Sequence, residues 1–131
     1  VHTNIICADW RRLAAFYETV FECRFVPPER DQEGKWLADG TGVKDAQLKG
    51  VHLRLPGYGE DGPTLELYSY GRMEEKPLPV ANRKGLGHLA FSVDDVNATV
   101  QKVVAGGGAM LGQVVTRENP GTGRITFARS T

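Results

Sequence analysis

The chain predicts an α+β fold in which one β-α-β plan is used twice, and three observations carry that expectation. Short runs alternate apolar and polar residues, while two longer runs repeat apolar residues at helical spacing. The runs follow the order β-α-β-(β)-β-β and then β-α-β-β. His2 and Asp9, seven positions apart, are matched 86 positions later by His88 and Asp95, again seven apart. In both pairs the His opens a strand and the Asp begins a helix.

Residues 1–7 are rich in β-branched side chains and read as a strand. Asp9 suits the N-cap of a helix over 10–21, which gathers Trp10, Leu13, Ala14, Tyr17, Val20 and Phe21 on one stripe. Residues 24–26 read as a short strand ended by Pro27 and Pro28. The polar stretch 29–47 reads as a long loop, with at most a weak strand near 35–38. Clean alternation over 50–55, stopped by Pro56 and Gly57, and over 64–70 gives two further strands joined by turn formers. Residues 71–85, with Pro77 and Pro79, read as a linker.

Residues 87–93 read as the strand that opens the second half. Asp94 and Asp95 start a helix with the stripe Val96, Thr99, Val100, Val103 and Val104, stopped by Gly106, Gly107 and Gly108. Those glycines follow a helix and precede no Lys-Ser/Thr pair, so they are no phosphate loop. Short strands near 112–116 and 124–128 follow, with a hairpin turn over 119–123. The expected organisation is one domain over 1–131: a first module over about 1–70, a linker over 71–85, and a second module over about 86–131 that lacks its last strand.

Composition narrows the function. The chain has 131 residues, with 16 Lys plus Arg balanced by 16 Asp plus Glu. Zero net charge argues against a nucleic-acid binder and against a polybasic membrane-surface protein. No apolar run approaches the roughly 20 residues that span a bilayer, and no targeting segment is visible after Val1. Cys7 and Cys23 are too few for a disulfide framework and read as reduced thiols of a cytoplasmic protein.

Alternation sorts each strand into two faces. Val51, Leu53, Leu55, Leu65, Leu67, Leu89, Phe91 and Val93 belong beneath the helices. The opposite face collects His2, Asn4, His52, Arg54, Glu66, Tyr68, Tyr70, His88 and Ser92. Unpaired His and Glu in a packed core would cost on the order of several kcal/mol, so this face suits a sheet curled around a wet cavity. Two imidazoles and a carboxylate on such a face are a metal-site candidate for Zn, Fe, Ni, Co or Mn. The plainer reading of any one of these histidines is a core or edge residue. Asn4, His52, Arg54, Tyr68 and Ser92 are expected to line the pocket. Arg54 reads first as a solvent-facing strand residue and second as a holder of a substrate carboxylate. Asp9, Asp94 and Asp95 read as helix caps.

The segment His2-Thr3-Asn4-Ile5-Ile6, followed by Asp9 and Leu13-Ala14-Ala15-Phe16-Tyr17, resembles the opening of the vicinal oxygen chelate superfamily, which includes glyoxalases and bleomycin resistance proteins. Leu65-Glu66-Leu67 and Gly87-His88-Leu89-Ala90-Phe91-Ser92-Val93-Asp94-Asp95 are similar to its next two blocks, and the last is the most specific. The resemblance covers nearly the whole chain. It implies two βαβββ modules whose mixed sheets curl around a central cavity holding a divalent metal. Carried over from glyoxalase I and methylmalonyl-CoA epimerase, it implies His2, Glu66 and His88 as metal ligands. A fourth ligand is expected on a final strand past Thr131.

The chemistry implied is that of a metal-dependent lyase or isomerase acting through an enolate on a small α-oxygenated substrate or thiol adduct. Glu66 is the implied catalytic base, and a homodimer the implied assembly. Two alternatives stay open: an Fe(II) extradiol dioxygenase, which also uses two His and a carboxylate, and a metal-free small-molecule binding protein. Specificity is expected in the loops over 31–47 and 73–84.

Overall fold

A computed structural model describes residues 1–75, 77, 78, 80, 84–121 and 123–131. Pro79 of the expected linker, residues 81–83 of the second specificity loop and Thr122 of the hairpin turn lie outside the described residues. The chain divides into two compact units, Val1–Glu75 and Lys76–Thr131.

The first unit runs β1 (His2–Ile6), α1 (Trp10–Phe21), β2 (Arg24–Glu33), α2 (Lys35–Thr41), β3 (Gln47–Arg54) and β4 (Thr64–Tyr70). Its mixed sheet has the order β1-β4-β3-β2, with β1 parallel to β4 and the other pairs antiparallel. The α+β class is the one expected from the residue pattern, and the mixed sheet the one implied by the resemblance.

α1 starts where the sequence places it. The Asp9 carboxylate accepts from Arg12 N at 3.0 Å, closing the first turn. Ser69 then locks the approach to the helix: its Oγ accepts from Trp10 N at 3.2 Å and donates to Cys7 O at 2.7 Å. Trp10, Ala14 and Val20 are buried along the apolar stripe, and α1 packs on β3 and β4. Beneath it, Leu53, Leu65 and Leu67 are 0% exposed and Val51 1%. Complete burial of such side chains is worth about 1.5–3 kcal/mol each, so this face anchors the unit.

Two expectations for the stretch between α1 and β3 are overturned. The strand does not end at Pro27–Pro28. β2 continues to Glu33, and its register with β3 shifts between Val26 and Arg30. Proline lacks a ladder donor, but β2 is an edge strand and the prolines occupy the irregularity, where no donor is required. The expected weak strand near 35–38 is instead the seven-residue helix α2. A helix so short, with Gly40 inside and Gly34 and Gly42 at its ends, offers too little period to be told from a loop. It buries Leu37 in a small cluster with Ala46 and Leu48, against which Tyr68 and Tyr70 pack.

The second unit contains α3 (Val96–Ala105) and an antiparallel hairpin of β5 (Val115–Asn119) and β6 (Gly123–Phe127). Asp95 caps α3 by accepting from Ala98 N at 2.9 Å, so the two aspartates of the repeat do the same work. The stripe is thinner than expected: Val103 is buried, but Val104 is exposed.

Residues 87–93, expected as a strand, make no ladder. In the first unit the corresponding strand, β1, pairs only with β4. Among the described residues the second unit has no strand equivalent to β4, so this segment has nothing to pair with. Its alternation persists all the same, with Leu89, Phe91 and Val93 half-buried and His88, Ala90 and Ser92 exposed.

Both cysteines are free, Cys7 half-buried and Cys23 buried. Burial pushes the Cys23 thiol up to about 11, and raises that of Cys7, so both are protonated at neutral pH. No helix among the described residues is long and apolar enough to cross a membrane.

Gly50 is the tightest point of the sheet. A Cβ there would sit 2.0 Å from Leu67 O and 2.3 Å from Tyr68 Cδ1. Gly50→Ala is therefore expected to lower unfolding free energy by about 2–3 kcal/mol, the scale of overpacking. Gly59→Ala, with nothing within 4 Å, should change it by less than about 0.5 kcal/mol. Denaturant midpoints of the two variants check this, and equal midpoints would refute it.

Candidate functional site

Register decides which side chains meet on the face away from α1. Glu66 of β4 lies opposite Asn4 of β1 and His52 of β3, while Gly50 of β3 lies between Arg30 of β2 and Tyr68 of β4. Directly opposed residues share a face, so His2, Asn4, Arg30, His52, Arg54, Glu66 and Tyr68 all project from the same side.

Glu66 is the hub. Its Oε2 lies 3.4 Å from His2 Nε2 and accepts from Asn4 Nδ2 at 3.3 Å. Its Oε1 lies 3.3 Å from His52 Nε2. The Glu66 side chain is only 14% exposed, whereas that of His2 is 57% exposed. The carboxylate is thus held from both neighbouring strands while one imidazole beside it stays open to solvent.

His52 is engaged further. Its Nε2 is 2.7 Å from the Tyr68 hydroxyl. Burial pulls the His52 ring below its ordinary value, opposed by the Glu66 charge and reinforced by Arg30 and His2. The neutral ring is therefore favoured at neutral pH. Burial, and then the Glu66 charge, raise the Tyr68 phenol, which stays protonated; the Arg30 guanidinium pulls the other way.

Arg54 is half-buried and not solvent-facing as its first reading had it. Its Nη1 donates to Gly62 O in the β3–β4 connection, and its Nε is buried without a partner. Tyr70 belongs to the apolar cluster under α2, where it forms a wall of the polar face. His88 and Ser92 lie in the second unit on the segment without a ladder, both exposed.

Arg30 escapes the sequence reading, because a strand stopped at Pro27–Pro28 leaves it in a loop. Residues 29–33 are all polar, so alternation gives no signal that Arg30 belongs to this face.

The donor set can be tested for a metal. Two ligand atoms about 2.1 Å from one ion, at tetrahedral or octahedral angles, lie about 3.0–3.4 Å apart. His2 Nε2 and Glu66 Oε2 meet that spacing and fit a pair of adjacent ligands. His52 Nε2 suits the role less, because the Tyr68 hydroxyl already occupies it. Among the described residues no three His, Cys, Asp or Glu side chains form a ready-made metal set. Two surface clefts of about 380 and 750 Å³ in this unit are lined, Tyr70 apart, by residues other than those gathered around Glu66.

Because Glu66 alone raises the His52 titration against burial, its removal has a defined sign. In metal-free protein, NMR should place the His52 ring midpoint below 6.5, and Glu66→Gln should lower it further. A midpoint above 6.5, or a rise on substitution, contradicts this account of the site.

The comparisons with known proteins agree with this architecture. The model of the Glyoxalase/Bleomycin resistance protein/Dioxygenase superfamily matches residues 1–127. A glyoxalase family protein from Bacillus cereus is 20% identical, with a TM-score of 0.71 over 90% of this chain and 78% of that one. A glyoxylase/bleomycin resistance protein/dioxygenase domain from Frankia sp. EAN1pec is 21% identical, with a TM-score of 0.57 over 98% and 86%. A fosfomycin resistance protein from Mesorhizobium loti is 17% identical, with a TM-score of 0.50 over 96% and 86%. No curated protein matches the chain significantly. With all but four of its residues matched by the family model, the chain belongs to the glyoxalase/bleomycin resistance protein/dioxygenase superfamily.

Proposed function

We propose that the chain is a divalent-metal-dependent lyase or isomerase that acts through an enolate on a small α-oxygenated substrate or its thiol adduct. The observation that carries this reading is the pairing of His2 Nε2 with Glu66 Oε2 at 3.4 Å on an open polar face. His2 and Glu66 would hold the ion, with His88 as the third ligand. The support for His88 is its repeat relation to His2 and the block Gly87 to Asp95. The ion's contribution is Lewis acidity toward two adjacent substrate oxygens.

The chain's own residues supply the rest. Glu66 accepts the proton from the carbon beside the substrate carbonyl. Asn4 and His52, one on each carboxylate oxygen, hold it in place for that transfer. His52, neutral and bonded to Tyr68, adds no competing positive charge beside the base. The assembly proposed is a cytoplasmic homodimer, to be read from light scattering of the purified protein.

Mn(II) or Zn(II) titration tests the reading. His2→Ala, Glu66→Gln and His88→Ala should each weaken metal binding at least tenfold to a hundredfold, the scale seen even when outer partners of ligands are lost, with unchanged far-UV circular dichroism. Unaltered metal affinity in His88→Ala removes it from the ligand set, and absence of metal binding in the wild type leaves the metal-free binding protein. Oxygen uptake with a catechol would assign the dioxygenase reading instead.

A further inference from the structure

Among the described residues two guanidinium groups on the polar face, those of Arg30 and Arg54, have no carboxylate within 4.0 Å. Arg11, Arg24, Lys35, Lys49, Arg72 and Arg124 each lie within 4.0 Å of a Glu or Asp oxygen. Arg30 is half-buried, and among the described residues it has no acidic partner. Its guanidinium donates to Pro28 O, and its charge acts on the Tyr68 phenol. Arg54, the guanidinium singled out from the sequence, is already tied to Gly62 O.

The placement of Arg30 is built by the sheet. The register shift after Val26 brings it opposite Gly50, and Gly50 opposite Tyr68. Gly50 presents no side chain, and a Cβ there would collide with the Tyr68 ring. The notch lets an arginine on β2 and a tyrosine on β4 meet across the strand between them. From Tyr68 Oη the contacts continue to His52 Nε2 at 2.7 Å and on to Glu66 Oε1 at 3.3 Å. The field of the guanidinium reaches both His52 and Tyr68.

A partly desolvated guanidinium gains most from an anion that it can bind by two hydrogen bonds. We infer that Arg30 anchors a negatively charged group of the substrate, a carboxylate or phosphate carried by the compound whose oxygens face His2 and Glu66. The substrate class is then small anionic α-oxygenated compounds and not their neutral analogues. The oxygen end of this assignment rests on the proposed function, while the anion end rests on Arg30, Tyr68 and Gly50.

Dihydroxyacetone phosphate and dihydroxyacetone share one hydroxyketone and differ in the phosphate. Calorimetric titration of both, with and without Mn(II), compares wild type with Arg30→Gln and Arg30→Lys. Wild type should bind the phosphate ester at least tenfold more tightly than the neutral ketone, Arg30→Gln should lose that preference, and Arg30→Lys should keep part of it. Mn(II) affinity should be equal in all three, and circular dichroism should be unchanged. Equal binding of the two probes by wild type, or a preference that survives in Arg30→Gln, overturns the assignment. Failure of the metal reading appears separately, as no Mn(II) binding by wild type, and the phosphate preference in Mn(II)-free protein then decides the Arg30 assignment by itself.

Discussion

Asn4 and Glu66 stand 62 positions apart in the chain and touch because β1 runs parallel to β4. Parallel neighbours cannot be joined by a tight turn, so a helix, two strands and a short helix must fold between them before the ladder closes. That ladder bears on both sides of the sheet at once. On one side it seats Thr3 and Ile5 beside Leu65 and Leu67. On the other it brings His2 and Asn4 to the carboxylate of Glu66. The second unit shows what the same pattern becomes without such a pairing. Residues 87–93 keep the alternation of β1, yet they form no strand, since a strand is a property of two segments and not of one.

Much of the polar face was legible because strand parity is a simple code. Once residues 50–55 and 64–70 alternate, the faces of His52, Arg54, Glu66 and Tyr68 follow, and the structure agrees. Asp9 and Asp95 were legible for an equally local reason, since a carboxylate before a helical stripe satisfies the first free amides. What escaped was non-local. β2 is held through Pro27 and Pro28 by its pairing with β3, and no local rule announces that pairing. α2 forms on seven residues because Leu37 has Ala46 and Leu48 to pack against, and that partnership is invisible from its own composition.

The proposed chemistry draws on the asymmetry of the Glu66 environment. One oxygen faces an exposed imidazole and the other a sheltered one. Sheltering keeps His52 neutral, and its bond to Tyr68 occupies the nitrogen nearest the carboxylate. Two histidines at nearly the same distance from one acid are thereby given different tasks by burial and by one phenol. Residue type alone could not separate them, which is why the sequence left His52 as a wall residue.

Because odd-numbered positions over 51–53 of β3 and 65–67 of β4 fill the dry side and even-numbered ones over 52–54 and 66–68 the wet side, thermal robustness and ligand choice are written on separate registers of the same strands. A lineage carrying this scaffold can trade His52, Arg54 or Tyr68 for other polar groups while Val51, Leu53, Leu65 and Leu67 go on securing the helix. Gly50 is the exception, wet by parity yet pressed against the Leu67 carbonyl. Diversification of this surface must therefore pass around it.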